Sequence, residues 1–164
     1  MYDEQCQQLL HGVVTGVHMI KDWFDAKGHK QPDMKILEVG AGTGSITLPI
    51  LQTLKPHLET SPRFGSYVFT DISPGFFESA CELLKDWKGY VEFKRLDIEK
   101  CPLQQGFEFA SFDVIAASNV SSMFTIIYAL SGLNFKVLHA TKDIAETSIL
   151  WSMTVQKVEI ISFR

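Results

Sequence analysis

The sequence predicts an α/β fold in which a mainly parallel sheet carries helices on both faces. Three observations lead there. Short apolar runs alternate with longer stretches of helical periodicity over most of the chain. The first such run, 34–39, is followed at once by a cluster of three glycines. The second, 66–70, closes on Asp71 and leads into Ser73-Pro74, a pattern that starts helices. Strands alternating with helices imply βαβ units, and right-handed crossovers lay their helices against the sheet.

The elements follow in order. Residues 9–23 carry apolar side chains at three- and four-residue spacing (Leu10, Val13, Val14, Val17, Ile20, then Phe24), the mark of an amphipathic helix. Residues 26–33, polar with Gly28 and Pro32, read as a loop. Residues 34–39 read as a buried strand. Residues 45–54 read as a helix entered through the glycines; Pro49 makes it start late or kink. A loop with Pro56 and Pro62 precedes the second strand. The helix over 74–87 takes Ser73 as N-cap and Pro74 at N1, with Glu78 in its first turns. Strands at 90–94 and 112–117 complete the pattern, with Phe112 and Val114 serving the core and Asp113 ending the loop before the last strand.

Bulk properties narrow the function. The 164 residues suffice for one domain, and 46% hydrophobic against 21% charged residues is ordinary for a globular one. A net charge of −4 argues against a dedicated nucleic-acid or anionic-membrane surface. Cys6, Cys81 and Cys101 have no CxxC spacing, so neither a disulfide framework nor a zinc site is expected, and nothing else indicates a metal. The acidic Met1-Tyr2-Asp3-Glu4 start is unlike a secretion signal, and the apolar stretch 123–133 is too short to span a bilayer. The expectation is a cytoplasmic location. His11, His18, His29 and His57 fall in no partner pattern and read as surface or packing residues.

The strongest local feature is Glu38-Val39-Gly40-Ala41-Gly42-Thr43-Gly44, directly after the first strand. Glycine permits positive φ in a tight strand-to-helix turn and removes the Cβ that would block a ligand. The following helix offers free N–H groups and a positive dipole end. The plainer reading is a turn that needs glycine for backbone geometry alone. The spacing is GxGxG, not the GxGxxG of dinucleotide sites.

Lys35 to Gly44 resembles motif I of class I methyltransferases. The longer string Phe69-Thr70-Asp71-Ile72-Ser73-Pro74-Gly75-Phe76-Phe77 resembles, more specifically, the C-methyltransferase domain of fungal highly reducing polyketide synthases. The resemblance continues through Phe107-Glu108, 111–115 and Ala117-Ser118-Asn119-Val120. It implies a Rossmann-like class I methyltransferase sheet and S-adenosyl-L-methionine as cofactor. The cofactor-binding set it implies is Glu38, Gly40, Ala41, Gly42, Gly44, Asp71, Ile72, Asp97, Ile98 and Asn119. Glu38 would lie near the methionine amino group, directly or through water. Asp71 would accept two hydrogen bonds from the ribose hydroxyls; the local alternative is a simple cap of the next helix. Asp97 would face the adenine amino group with Ile98 packed on the ring; the local alternative is a solvated acidic turn. Asn119 would line the pocket.

The pattern then breaks. About 17 residues separate Asn119 from Val137-Leu138-His139-Ala140-Thr141, where the resemblance resumes. His139 matches the family's general base, which removes the α-proton of a β-ketoacyl thioester to give an enolate nucleophile. The strand that carries the family's assisting glutamate has no match after Thr147, and 158–163 offers one strand beside an open sheet edge. Two explanations of 121–136 stand: a real insertion over the pocket, or a retained in-frame intron, since Val120-Ser121 can be encoded by GTAAGT and Lys136 by AAG.

The expectation is therefore one incomplete domain: an N-terminal helical region 1–33, a cofactor-binding core 34–120, an atypical insertion 121–136 and a divergent tail 137–164, with the C-terminal strands incomplete. Its function would be C-methylation of a carrier-protein-bound polyketide intermediate, as part of a larger synthase. The alternatives are an inactive fragment or cofactor-binding remnant and an NAD(P)-dependent oxidoreductase; neither nucleic acid nor membrane is expected as a partner.

Overall fold

The structure, a computed structural model, describes residues 18, 20–55, 61–108 and 111–118, and three further strands within 137–163 as backbone only. Helix α1 covers 20–30. Strand β1 (Lys35–Val39) is followed by α2 (Thr47–Leu54), β2 (Ser66–Asp71), α3 (Gly75–Leu83), a 3-10 turn (Lys85–Trp87), β3 (Val91–Arg95), a second 3-10 turn (Pro102–Gln105) and β4 (Val114–Ser118). The tail adds β5 (Val137–Ala145), β6 (Ser148–Val155) and β7 (Glu159–Phe163).

The strand order is β3-β2-β1-β4-β7-β6-β5. The first four are parallel, as expected, in a register that aligns Val39 with Thr70 and Ala117. Chain direction across the sheet reverses at β1, between β2 on one side and β4 on the other. In open α/β sheets that switch point opens a crevice at the carboxyl ends of the strands. β1 and β2 bury almost every side chain, as strands covered on both faces do.

Ile20 and Phe24 of α1, Ile50, Leu51 and Leu54 of α2, and Ala80 of α3 share one core with Ile36, Tyr67, Phe69, Val114 and Ala116 of the sheet. The three described helices thus pack together on one face. Phe69 stands at the centre of an aromatic group, 5.1 Å from Phe93 and 6.1 Å from Phe77 between ring centroids. Asp113 clamps the entrance to β1: its Oδ2 accepts the Lys35 N–H at 2.8 Å and its own N–H donates to the Lys35 carbonyl at 2.9 Å.

Several boundaries differ from expectation for physical reasons. α2 starts at Thr47, so Pro49 falls in its first turn, where no intrahelical N–H bond is required, and the helix need not kink. α1 continues through the expected loop to Lys30. Arg63 holds its end by donating to Asp25 Oδ1 (2.7 Å) and the Thr53 carbonyl (2.6 Å), with His29 against the same guanidinium. Gly28 lies inside that helix at a close approach to α2, where a Cβ would lie 2.7 Å from Leu54 Cδ2. Ser73 does not cap α3; Pro74 occupies the cap position with no side-chain bond, and Ser73 uses its N–H on Asp71 instead.

The tail differs most. Where the sequence offered one strand, the structure has three, with β7 parallel to β4 and β6 and β5 added antiparallel. Connections of two and three residues join them, too short for crossover helices. β5 is left as an edge strand. Among the described residues no helix is long and apolar enough to cross a membrane.

Gly65 joins the α1–β1 loop to β2: its N–H donates to the Met34 carbonyl at 2.8 Å, and a Cβ on it would sit 2.5 Å from the Asp33 carbonyl oxygen. Backbone cannot yield as a side chain can. Gly65→Ala is therefore expected to lower unfolding free energy by about 1–3 kcal/mol, and Gly28→Ala, which meets the tip of Leu54, by less; urea unfolding of the two variants measures the difference.

Candidate cofactor cleft

The cleft lies beyond the carboxyl ends of β1, β2 and β3 and has a volume of about 370 Å³, within the usual range for small-molecule sites. Gly40 and Gly42 form one wall, Asp71 and Ile72 a second, and Asp97 and Ile98 a third, with Val39, Phe76, Leu96 and Glu99 completing it.

The glycine loop keeps its shape through backbone geometry. Gly40, Gly42 and Gly44 all have positive φ, at 69°, 57° and 81°. At Gly42 no atom lies within 4 Å of a would-be Cβ, so the left-handed backbone conformation is what calls for glycine and the space beside it is open. Gly44 is packed instead: a Cβ there would lie 3.3 Å from Leu83 Cδ2, with Phe69 and Thr47 just behind. The Ala41 N–H donates to the Thr70 carbonyl at 3.0 Å, which ties the loop to the end of β2.

Asp71 joins the loops after β1 and β2. Its Oδ2 accepts the Gly42 N–H at 3.0 Å and its Oδ1 accepts the Ser73 N–H at 2.8 Å. The local expectation of a cap is not met: α3 begins after Pro74 with no side-chain cap bond, and Asp71 instead orders the turn that precedes it. Each carboxylate oxygen keeps lone-pair capacity for a further donor. Arg95, whose Nε donates to the Ile72 carbonyl at 3.1 Å, steadies the same segment.

Asp97 is buried and its carboxylate is held on both oxygens, by the Glu99 N–H at 3.1 Å and by Lys100 Nζ at 2.8 Å. The Lys100 hydrogen bond is the main influence that sets its carboxyl below the usual carboxylate value, aided by the Glu99 N–H and opposed by desolvation. Asp97 is therefore an ionised acceptor at neutral pH.

Glu38 is held in the core beside the glycine loop. Its carboxylate is fully buried, and one oxygen, Oε2, accepts both Tyr67 Oη at 2.5 Å and Thr47 Oγ1 at 2.6 Å. It is not part of the cleft wall; it braces β1, β2 and α2 from beneath the loop. Burial, with the Glu38 charge and hydrogen bond beside it, pushes the Tyr67 hydroxyl well above its ordinary value and keeps it a donor.

Of the expected cofactor residues, then, Gly40, Gly42, Asp71, Ile72, Asp97 and Ile98 meet at the cleft, while Glu38, Ala41 and Gly44 lie behind it. Asn119 lies outside the described residues. His139 is not brought to this group. It sits in β5, in register with Thr154, which pairs with Glu159 beside Val114, the first residue of β4. That is the amino end of the parallel strands, and three strand spacings of about 4.8 Å separate β5 from β4. Phe76, Arg95 and Gln105 were not found from sequence. Their roles depend on contacts between segments, and only the position of Phe76 in the first turn after Asp71 hinted at one.

A parallel β3-β2-β1-β4 sheet with a glycine loop leaving β1 and acids closing β2 and β3 defines a class I methyltransferase. The chain belongs to the methyltransferase-domain family, whose model matches residues 37–147. Among curated relatives, it is 41% identical over 137 residues to the highly reducing polyketide synthase Preu5 of Preussia isomera, a match covering 82% of this chain and 5% of that protein. It is 49% identical over 109 residues to the highly reducing polyketide synthase PKS6 of Gibberella zeae, covering 66% and 4%. Among solved structures, the trans-methyltransferase CalH in complex with SAH matches with a TM-score of 0.63 at 38% identity, covering 69% of this chain and 32% of that one. The CurJ carbon methyltransferase matches at 0.51 and 37%, covering 62% and 26%. The chain thus spans about a twentieth of the length of the curated relatives it matches.

Two outcomes follow from these bonds. Tyr67→Phe removes a hydrogen bond to a buried carboxylate and should cost about 1.5–3 kcal/mol of stability in urea unfolding. Asp97, with its folded value below the unfolded one, contributes stability that is complete above the ordinary carboxylate value and is lost as pH falls through the lower one. Carboxyl-carbon NMR titration should find Asp97 below the ordinary value in the native protein and nearer to it in Lys100→Ala.

Proposed function

We propose that the cleft binds S-adenosyl-L-methionine and that the chain is the cofactor-binding part of a single C-methyltransferase domain within a larger synthase. The observation that carries this is the charge and shape of the cleft. Asp71, Asp97 and Glu99 line it with no Lys or Arg among the described lining residues, while the backbone at Gly40 and Gly42 leaves one wall without side chains. Three carboxylates suit a ligand that presents hydroxyl and amine donors and a positive charge, and they repel a pyrophosphate. The GxGxG spacing of the loop, unlike the GxGxxG of dinucleotide sites, disfavours NAD(P).

The residues present fit the group. Asp71, poised by Gly42 and Ser73, would accept the ribose hydroxyls; Asp97 would accept the purine amino group; Ile72 and Ile98 would flank the ring. When bound, the cofactor supplies an electrophilic methyl group on a sulfonium. By its likeness to domains of highly reducing polyketide synthases, the acceptor we propose is the α-carbon of a β-ketoacyl thioester carried on a carrier protein, in the cytoplasm, with His139 as the base. A second reading is favoured by one observation, the position of His139 at the amino end of the strands: a chain that binds the cofactor without transferring the methyl group.

Calorimetric titration with S-adenosylhomocysteine tests binding. Micromolar affinity that Asp71→Ala weakens at least about tenfold, with no response to NADPH, is the expected result; stabilisation by NADPH alone would sink the proposal. Methyl transfer to a β-ketoacyl thioester on a carrier protein, abolished in His139→Ala, separates the two readings, since a remnant would bind and leave the thioester unmethylated.

A further inference from the structure

Gln105 lies in the 3-10 turn after β3, outside the cleft wall, yet it holds the segment that forms one side of it. Its Oε1 accepts the Asp97 N–H at 2.8 Å, and its Nε2 donates to the Asp97 carbonyl at 2.9 Å. One side-chain amide thus satisfies both backbone groups of one residue, as a neighbouring strand would. The same Nε2 also faces the Lys100 and Cys101 carbonyls at 3.2 and 3.4 Å, closing the 97–101 turn on itself.

The chemistry requires an amide. Nε2 lies among three carbonyl oxygens and must be a donor, while Oε1 meets an N–H and must be an acceptor. Glutamate would have the same shape with an oxygen against those carbonyls. The main chain of Asp97 is fixed on one side by this clamp and its carboxylate on the other by Glu99 and Lys100. Both lateral freedoms of the acid are removed, and Ile98 is carried along with it into the cleft.

We propose that Gln105 is a positioning residue that sets base selectivity in the nucleoside part of the cleft by fixing Asp97, and with it Ile98, against the purine. This rests on the cofactor reading above. An ionised carboxylate held in place favours a 6-amino purine and rejects a 6-oxo one, whose oxygen would face it. A carboxylate on a loosened loop can turn aside and lose that preference.

The test compares S-adenosylhomocysteine with its 6-oxo analogue S-inosylhomocysteine on the native chain, Gln105→Glu and Gln105→Met, with Gln104→Glu as a charge-matched control on the adjoining exposed residue. The native chain and the control should prefer the adenine ligand. Both Gln105 variants should weaken its binding about tenfold while the 6-oxo ligand changes little, so that the ratio collapses. Equal weakening of both ligands, or an unchanged ratio, would overturn the proposal, because a merely structural role does not discriminate between bases. Amide hydrogen exchange without ligand decides the clamp separately. Protection lost at Asp97 and Glu99 in Gln105→Met, with the rest of the sheet unchanged, supports it, and retained protection overturns it. Failure of the native chain to bind either ligand would instead count against the cofactor reading.

Discussion

One carboxylate oxygen, Glu38 Oε2, is the constraint on which the rest of the core depends. It is buried at the end of β1 and takes hydrogen bonds from Tyr67 in β2 and Thr47 at the start of α2. A buried charge without partners is costly enough that a fold avoids it. The three elements can therefore meet in few other ways: a shift of α2 by one residue would remove Thr47, and a slip of β2 would turn Tyr67 to the opposite face. The short turn between Glu38 and Thr47 is the glycine loop, so the network that fixes the strand and helix also fixes the loop that spans them.

From that anchor, bonds to backbone build the cleft outward in steps. The Ala41 N–H ties the loop to β2, Asp71 ties Gly42 to the turn before α3, Arg95 holds the carbonyl of Ile72, and Gln105 holds the main chain of Asp97. Asp71 and Asp97 are thus each held in part by groups outside the cleft wall, Ser73 for the first and Gln105 and Lys100 for the second. Such support is what keeps a site at defined geometry, since side chains left to rotate lose much of their discrimination. It also explains how three carboxylates tolerate proximity: Asp71 and Asp97 are neutralised in part by N–H groups and by Lys100, leaving a cleft that is acidic without being unstable.

Much of the cofactor half was legible in the sequence. The strand cores at 35–39, 66–71 and 114–118 fall within a residue or two of their expected limits because continuous apolar runs between turn residues admit few other structures. The glycine triplet and Asp71 were also legible, because a turn that needs positive φ and a strand that ends in an acid leave local marks, whereas Asp97, two residues past the end of β3, was indicated by the family resemblance. The orientation of Glu38 was not. Spacing places the residue on β1, but whether its carboxylate turns toward the cleft or the helix depends on Tyr67, 29 residues further on. α1 likewise outran its expected end because Arg63, distant in the chain, holds its last turn.

The sequence by itself determined that this is a parallel α/β chain with a glycine loop after its first strand and an acid at the end of its second, because those features are local and each follows from the conformational limits of a few adjoining residues. Tertiary structure alone decided which of the marked residues share a cleft, which unmarked ones support them, and that the tail adds three strands with His139 at the far end of the sheet. The physical reason is that hydrogen bonds and strand pairings between distant segments carry no periodicity along the chain; they exist only once the sheet has brought those segments together.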